Sequence, residues 1–175
     1  YSSNPVGAVA VGSYAKATGR GSLAIGRNTE TDSAYTTALG VRAKVMENAE
    51  NAIAIGREAQ VGAITEGRVY GGLNSIAMGT LTNVKGQNSI AIGTADMLNA
   101  AGTEIVAPGE RKATTITGDS SVAIGKYDTI TGNNSIAIGS ENVVKGDGSG
   151  AIGDPNTVNG NSSYILGNNR SIGSI

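Results

Sequence analysis

The chain has 175 residues, with 13 basic and 14 acidic side chains and a formal net charge of -1. It contains 27 glycines but no Cys, His, Phe or Trp, which excludes disulfides, thiolate or imidazole metal sites, cysteine nucleophiles and histidine-dependent catalysis. The evenly mixed charge provides no basic surface for nucleic acid, and no apolar run approaches the roughly 18 residues of a membrane helix.

A four-residue motif, aliphatic-Ala-aliphatic-Gly, recurs along the chain from residues 9–12 onward, and its last copy, residues 164–167, has Ile165 in place of Ala. Successive motif glycines are separated by 14, 14, 16, 23, 14, 32, 14, 14 and 14 residues. Six of the nine intervals are identical, so the repeat is not a chance pattern. Repeats of this length are typical of proteins that stack identical units.

Each unit contains a second, weaker half-repeat after the motif glycine. After Gly79, for example, Thr82 and Val84 stand three and five residues on, and Gly86 follows. Spacing by two indicates strands, and Gly and Asn at the boundaries indicate turns. Only the segment 44–52 resembles a helix. The pattern predicts an all-β, parallel β-roll of about 10–11 coils, because a unit of two short strands buries its apolar face only by stacking.

The interval of 32 residues contains a damaged copy of the motif, Val106–Gly109. Pro108 occupies an aliphatic position, and proline removes a hydrogen bond from a central strand. Two interpretations have equal weight. The segment is either an eleventh, distorted coil or a surface loop.

Within each motif, the alternation of side chains places the two aliphatic residues on one face of the strand and Ala on the other. We expect the larger side chains to form the core of the roll. These residues are Ile25, Ile53, Ile55, Ile76, Ile90, Ile92, Ile124, Ile136, Ile138 and Ile152. The small residues are then expected outside, as a flat contact surface between chains. This predicted interface comprises Ala10, Ala24, Ala38, Ala54, Ala77, Ala91, Ala123, Ala137, Ala151 and Ile165.

Residues 88–93 and 134–139, both Asn-Ser-Ile-Ala-Ile-Gly, resemble the head repeat of trimeric autotransporter adhesins, the YadA-like head. The resemblance covers essentially the whole chain. It implies a left-handed parallel β-roll, a homotrimer, and display at the outer membrane surface of a Gram-negative bacterium. It also implies adhesion to host extracellular matrix proteins or cell-surface receptors. The family's stalk and membrane anchor are not recognisable in this sequence, so anchoring is expected only through a region absent from it.

The sequence is expected to be a processed chain or an excised fragment that forms one head domain, 1–175. Irregular insertions around 62–74 and 94–118 interrupt the period, and such segments often carry recognition. They supply the candidate ligand-contact residues Glu66, Arg68, Tyr70, Glu104, Glu110, Arg111 and Lys112. The alternative is that these segments only buttress neighbouring chains. At the level of function, the alternative to an adhesin is a structural spacer or fibre segment that holds another tip domain away from the cell.

Catalytic, cofactor and metal sites are not expected. Residues 19–24 and 146–151 match the loose dinucleotide-binding glycine pattern. Neither segment lies between a predicted strand and a predicted helix, which is the context that this motif requires. Both are interpreted as turns, and the chain is not expected to be an enzyme.

Overall fold

The computed structural model describes residues 6–65, 68–95 and 111–173. Every regular element in those three segments is a β-strand. Two parallel sheets of ten strands each take up all but two of the strands, and the remaining pair forms a hairpin. The prediction of an all-β parallel β-solenoid is confirmed, and the segment 44–52 contains a short strand followed by turns in place of a helix.

The strands are numbered in chain order, and the two large sheets alternate along the chain. The first sheet contains β1 (Val9–Val11), β3 (Leu23–Ile25), β5 (Thr37–Leu39), β7 (Ile53–Ile55), β11 (Ile76–Met78), β13 (Ile90–Thr94), β15 (Val122–Lys126), β17 (Ile136–Ser140), β19 (Gly150–Gly153) and β21 (Tyr164–Leu166). The second contains β2 (Lys16–Ala17), β4 (Glu30–Thr31), β6 (Lys44–Val45), β8 (Gln60–Val61), β12 (Asn83–Val84), β14 (Thr115–Ile116), β16 (Thr129–Ile130), β18 (Val143–Val144), β20 (Asn156–Val158) and β22 (Arg170–Ile172).

Parallel pairing places equivalent positions of neighbouring coils side by side. Ala77 pairs with both Ala54 and Ala91, and Ile90 pairs with Ile76. The same register holds from the first coil to the last, where Ala151 pairs with Ile165. One position of the sequence repeat therefore becomes one straight file of side chains along the roll.

In most coils the motif glycine that follows the first-sheet residues is required by both backbone conformation and space. Gly40 has φ +133°, which side chains rarely tolerate, and a Cβ added there would lie 2.5 Å from the carbonyl oxygen of Gly56. Two residues later the chain turns through a left-handed residue such as Asn28 (φ 55°). A second left-handed position precedes each first-sheet strand, where Asn88 has φ 52° and Asn134 has φ 52°. Asn tolerates this conformation better than most residues.

The long interval does not contain an eleventh stacked coil. Strand β13 pairs directly with β15, with Ile90 opposite Val122, and β12 pairs directly with β14. An intervening coil would have separated these strands, so the stack has ten coils and that interpretation was wrong. The damaged motif Val106–Gly109 itself lies outside the described residues.

The shorter insertion is a β-hairpin that projects from the fourth coil. Strand β9 (Ala63–Thr65) pairs antiparallel with β10 (Arg68–Tyr70), with Ala63 opposite Tyr70. The chain returns to the roll at Gly71, and Ile76 pairs with Ile53 as in a regular coil. The insertion thus leaves the register of the stack unchanged.

Candidate functional surfaces

The alanine file lies inside the roll, which contradicts the expectation that it forms an outer contact surface. Eight of the predicted interface alanines are 0% exposed within a single chain: Ala24, Ala38, Ala54, Ala77, Ala91, Ala123, Ala137 and Ala151. Ile165, which continues this file in the last coil, is 6% exposed. Ala10, in the first coil, is exposed. The assignment of these residues to an interface between chains was therefore wrong for the file as a whole.

The second sheet explains why only a methyl group fits there. Its inward side chains are large, and Val45, Val61, Val84, Ile116, Ile130, Val144 and Val158 are all 0% exposed. They pack with the alanines in one continuous core. In a thin roll, small residues on one sheet accommodate large residues on the other. The core volume therefore comes from the second sheet, not from the first.

The residues predicted to form the core face outward instead. Ile90 is 36% exposed, and Ile92, Ile124 and Ile152 are each 41% exposed. The other six predicted core residues are half-buried: Ile25, Ile53, Ile55, Ile76, Ile136 and Ile138. Their partial burial comes from neighbours on the same surface, since the opposite face of each strand carries the buried alanine. The prediction was wrong because a spacing of two groups residues on one face without saying which face is inside.

Together these side chains form what we call the aliphatic face, the outer surface of the first sheet. Two residues per coil contribute, one on each side of the buried alanine. The first file is Val9, Leu23, Thr37, Ile53, Ile76, Ile90, Val122, Ile136, Gly150 and Tyr164. The second is Val11, Ile25, Leu39, Ile55, Met78, Ile92, Ile124, Ile138, Ile152 and Leu166. At about 4.8 Å per strand, the face is roughly 45 Å long.

The outer surface of the second sheet, which we call the polar face, has the opposite character. Its file is Lys16, Glu30, Lys44, Gln60, Asn83, Thr115, Thr129, Val143, Thr157 and Ser171. Glu30 lies between two lysines, with its carboxylate oxygens 2.7 Å from Lys16 Nζ and 2.7 Å from Lys44 Nζ. Hydrogen bonds from Lys16 and Lys44 lower the pKa of Glu30, and the hydrogen bond to Glu30 raises the pKa of Lys16. This face is suited to water.

A serine ladder inside the roll escaped the sequence prediction. Ser135 Oγ donates to the carbonyl oxygen of Gly146 (2.9 Å) and accepts the backbone N–H of Ser149 (3.2 Å). Ser75, Ser89, Ser121 and Ser149 make equivalent bonds in their own coils. Buried polar groups need such partners. The signal in the sequence was the Ser that precedes the aliphatic residue of the motif.

The predicted ligand-contact residues are only partly visible. Glu66, Glu104 and Glu110 lie outside the described residues. Arg68 and Tyr70 belong to the projecting hairpin β9–β10, and their side chains are not described. The structure places the backbone of this hairpin but does not test its role.

The other two predicted residues lie where the longer insertion rejoins the roll. Arg111 Nη1 lies 3.3 Å from Glu58 Oε2, and its side chain is only 10% exposed. Lys112 Nζ lies 3.4 Å from Glu141 Oε2 and 5.6 Å from the centre of the Tyr127 ring. Lys112, Ala113, Tyr127, Thr129, Glu141 and Val143 line a groove of about 290 Å³. The side chain of Arg111 is thus mainly structural, whereas Lys112 is 64% exposed and accessible to a ligand.

Neither a metal-binding group of His, Cys, Asp and Glu nor a helix able to span a membrane is found among the described residues.

The repeated sequence of this roll matches a known protein family. The family model for the YadA head domain repeat matches residues 6–29, 33–59, 71–95 and 131–154, more than half of the chain. The chain belongs to the YadA head domain family. The matched segments of this YadA-like head leave out the projecting hairpin and the longer insertion. No curated protein sequence matches the chain.

Membership of this family implies a bacterial surface domain of the trimeric autotransporter adhesin type, a class that is generally not enzymatic. The YadA-like head therefore has to be understood through its surfaces. The aliphatic face and the polar face are the two extended surfaces that its fold creates.

Proposed function

We propose that this YadA-like head assembles as a homotrimer through the aliphatic face, with the polar face turned to solvent. The observation that carries the proposal is the length of the aliphatic face, whose second file is apolar in all ten coils, with Ile92 and Ile124 each 41% exposed at its middle. Soluble monomers rarely expose a continuous apolar surface of this extent, and such surfaces mark association sites. Membership of the family supports the trimeric state and the left-handed roll.

The interface proposed here replaces the one expected from the alanines. Three copies of the aliphatic face would meet around one axis, with equivalent coils at the same height because a three-fold axis relates the chains by rotation alone. Complete burial of an aliphatic side chain contributes about 1.5–3 kcal/mol. Each exposed or half-buried aliphatic residue of this face has part of that contribution still available in the single chain, and the contributions accumulate along the roll.

We further propose that residues 1–175 form one adhesin head, displayed at the outer membrane surface of a Gram-negative bacterium through anchoring regions outside this sequence. The head binds host extracellular matrix proteins or cell-surface receptors. The family supports this role. The surfaces open to a ligand in the trimer are the polar face and the insertions, including the hairpin β9–β10 and the groove beside Lys112.

Sedimentation equilibrium of the chain tests the assembly. The expected mass is about three times the 17.4 kDa of one chain. A mass of one chain at micromolar concentration would contradict it.

Binding to immobilised host matrix proteins and to host cells tests the adhesin role. The matched variants delete residues 63–71 or residues 96–113, which restores a 14-residue coil in each case. Loss of binding with the trimer intact assigns recognition to the deleted insertion. Unchanged binding in both deletion variants assigns it to the polar face. A trimer that binds none of these targets contradicts the adhesin role and favours a structural spacer.

A further inference from the structure

One position recurs at the start of the second-sheet strands, three residues after the motif glycine except where the longer insertion separates Gly93 from Thr114. Thr29 Oγ1 donates a hydrogen bond to the carbonyl oxygen of Gly40, at 2.6 Å. Thr114 Oγ1 donates in the same way to Gly125, at 3.0 Å. In both cases the acceptor is the motif glycine of the next coil, eleven residues along the chain. A side chain at this position therefore faces a carbonyl oxygen.

The other polar coils repeat the arrangement. Thr82 donates to Gly93 (3.2 Å), Asn142 Nδ2 donates to Gly153 (2.9 Å), and Asn156 Nδ2 donates to Gly167 (2.7 Å). Wherever the described residue is Thr or Asn, it is a donor to this carbonyl. Three further coils carry the apolar Ala15, Ala43 and Ala59 at this position, and the last coil carries the exposed Arg170.

Asp128 occupies the same position in the coil of β15 and β16, and it is 0% exposed. Its Oδ1 accepts two hydrogen bonds from Asn142, one from the backbone N–H (2.9 Å) and one from Nδ2 (3.0 Å). Its Oδ2 is buried and has no hydrogen-bond partner among the described residues. In the other coils the side chain at this position faces the carbonyl of the motif glycine eleven residues later. For Asp128 that glycine is Gly139, so Oδ2 faces the carbonyl oxygen of Gly139.

The position of Oδ2 agrees with this alignment. A Cβ added to Gly125 would lie 2.8 Å from Asp128 Oδ2. In the next coil, a Cβ added to Gly139 would lie 3.2 Å from Asn142 Nδ2, which is a donor. Asp128 Oδ2 thus takes the place that a donor atom occupies elsewhere. An ionised carboxylate has only acceptors, and a buried charge facing a carbonyl oxygen is strongly unfavourable.

We propose that Asp128 is a neutral carboxylic acid in the folded roll and that its Oδ2–H group donates a hydrogen bond to the carbonyl oxygen of Gly139. Both oxygens of Asp128 then make the same kinds of hydrogen bond as the side chains at this position in the neighbouring coils. Oδ1 accepts from Asn142, as Asn142 Oδ1 accepts from Asn156 Nδ2 (3.0 Å), and Oδ2 donates, as Asn142 Nδ2 does.

The surroundings of Asp128 favour the neutral form. Burial raises the pKa of the carboxyl above its ordinary value of 3.8, the two hydrogen bonds from Asn142 oppose the rise, and the negative charge of Asp154 adds to it. The ionisable groups on the adjoining turns are engaged at the surface. Lys112 and Lys126 lie over the Tyr127 ring, and Lys112 pairs with Glu141.

The consequence is that the contribution of Asp128 to the stability of the head is larger in acid than at neutral pH. A group whose pKa is higher in the folded state stabilises the protein fully below its unfolded pKa, and this contribution is lost as the pH rises through the folded pKa. Between those two values, the equilibrium constant for unfolding through Asp128 increases by up to about tenfold per pH unit. Asp128 therefore acts as a pH-sensitive element in the C-terminal half of the roll.

Two measurements on the assembled chain test this inference. Carbon-13 NMR of the carboxyl carbons follows the protonation of Asp128, assigned with Asp128→Asn. Denaturant unfolding is measured from acid to neutral pH for the wild type and this variant. Asp147→Asn is the matched control, because it removes one carboxylate from an exposed turn in which Asn133 and Asn161 occupy the same position in adjacent coils.

We expect the Asp128 carbon to titrate above its ordinary range. Asp128→Asn should raise the unfolding midpoint at neutral pH and remove part of the pH dependence, because its amide donates to Gly139 at every pH. Asp147→Asn should leave that dependence unchanged. An Asp128 carbon that titrates at or below the ordinary value overturns the proposal, and so does an Asp128→Asn variant that is less stable than the wild type at neutral pH.

Discussion

The aliphatic face and the polar face are built on strands of equal regularity, yet they differ in chemistry at nearly every coil. In the coil of β15 and β16, the outward residues on the first sheet are Val122 and Ile124, whereas Thr129 is outward on the second. Both sheets direct one small or aliphatic file inward, so the core does not require this difference. An apolar outer surface that does not serve the core indicates a contact outside the chain.

The largest effect is expected from a charge in the alanine file, because this change tests directly whether the alanines lie inside the roll. Ala91→Glu places a carboxylate among fully buried neighbours, and we expect a loss of several kcal/mol of stability because the charge has no partner there. Circular dichroism and denaturant unfolding measure it.

The control for Ala91→Glu is Thr129→Glu on the polar face, which should keep the fold. A stable Ala91→Glu roll that has only lost its partners would restore the original assignment of the alanines to an interface between chains.

A charge on the aliphatic face should separate the chains without entering the roll. Ile92→Glu replaces a residue that is 41% exposed in the single chain, and in a trimer it would bring three like charges close together without partners. We expect the mass in sedimentation to fall from three chains toward one, while the β-sheet signal persists. An unchanged mass at micromolar concentration would mean that this face is not the interface.

A change in the serine ladder is expected to have a measurable effect, but a smaller one than a charge in the alanine file or on the aliphatic face. Ser121→Ala removes the donor to Gly132 and leaves the buried N–H of Ser135 without an acceptor. An unsatisfied buried group costs about 1–3 kcal/mol. Denaturant unfolding measures the loss, with Ser140→Ala as the control because Ser140 is half-buried at the end of its strand. Equal stability of the two variants would show that the ladder contributes little.

The ion pairs of the polar face should have the smallest effect. Because the two lysines lower the pKa of Glu30, this group stabilises the fold above its unfolded pKa, and the contribution disappears as the pH falls through the folded pKa. Glu30→Gln should therefore lower stability at pH 7 by about 1 kcal/mol or less and have no effect in strong acid. A deficit of Glu30→Gln that is the same at both pH values would contradict this assignment.

The sequence was sufficient for much of the fold. The 14-residue period predicted the strands, their parallel stacking and the turns, because Gly and Asn mark the left-handed positions. It did not determine which side of Ile90-Ala91-Ile92 is inside. That choice depends on the distance between the sheets, which Val84 and Ile116 of the second sheet determine by filling the core.

The candidate site was less predictable for the same reason. Ile92 and Ile124 were recognised as a repeated set, but their role depended on the orientation of the strand. The position of Asp128 was also visible in the repeat, since it aligns with Thr114 and Asn142. Its significance was not visible in the sequence, because only the structure shows that the equivalent residues in the adjoining coils donate hydrogen bonds to a carbonyl oxygen.

Thiol labelling of single-cysteine variants is the most direct test of the aliphatic face as the contact between chains. The chain has no native Cys, and Ile124→Cys and Thr129→Cys place one thiol on each face of the same coil. In an isolated chain the first should react faster, because Ile124 is 41% exposed and Thr129 is half-buried. Burial of the aliphatic face between chains predicts the reverse order, with residue 124 protected until the assembly is dissociated. Rapid labelling at residue 124 in the native protein would contradict the account.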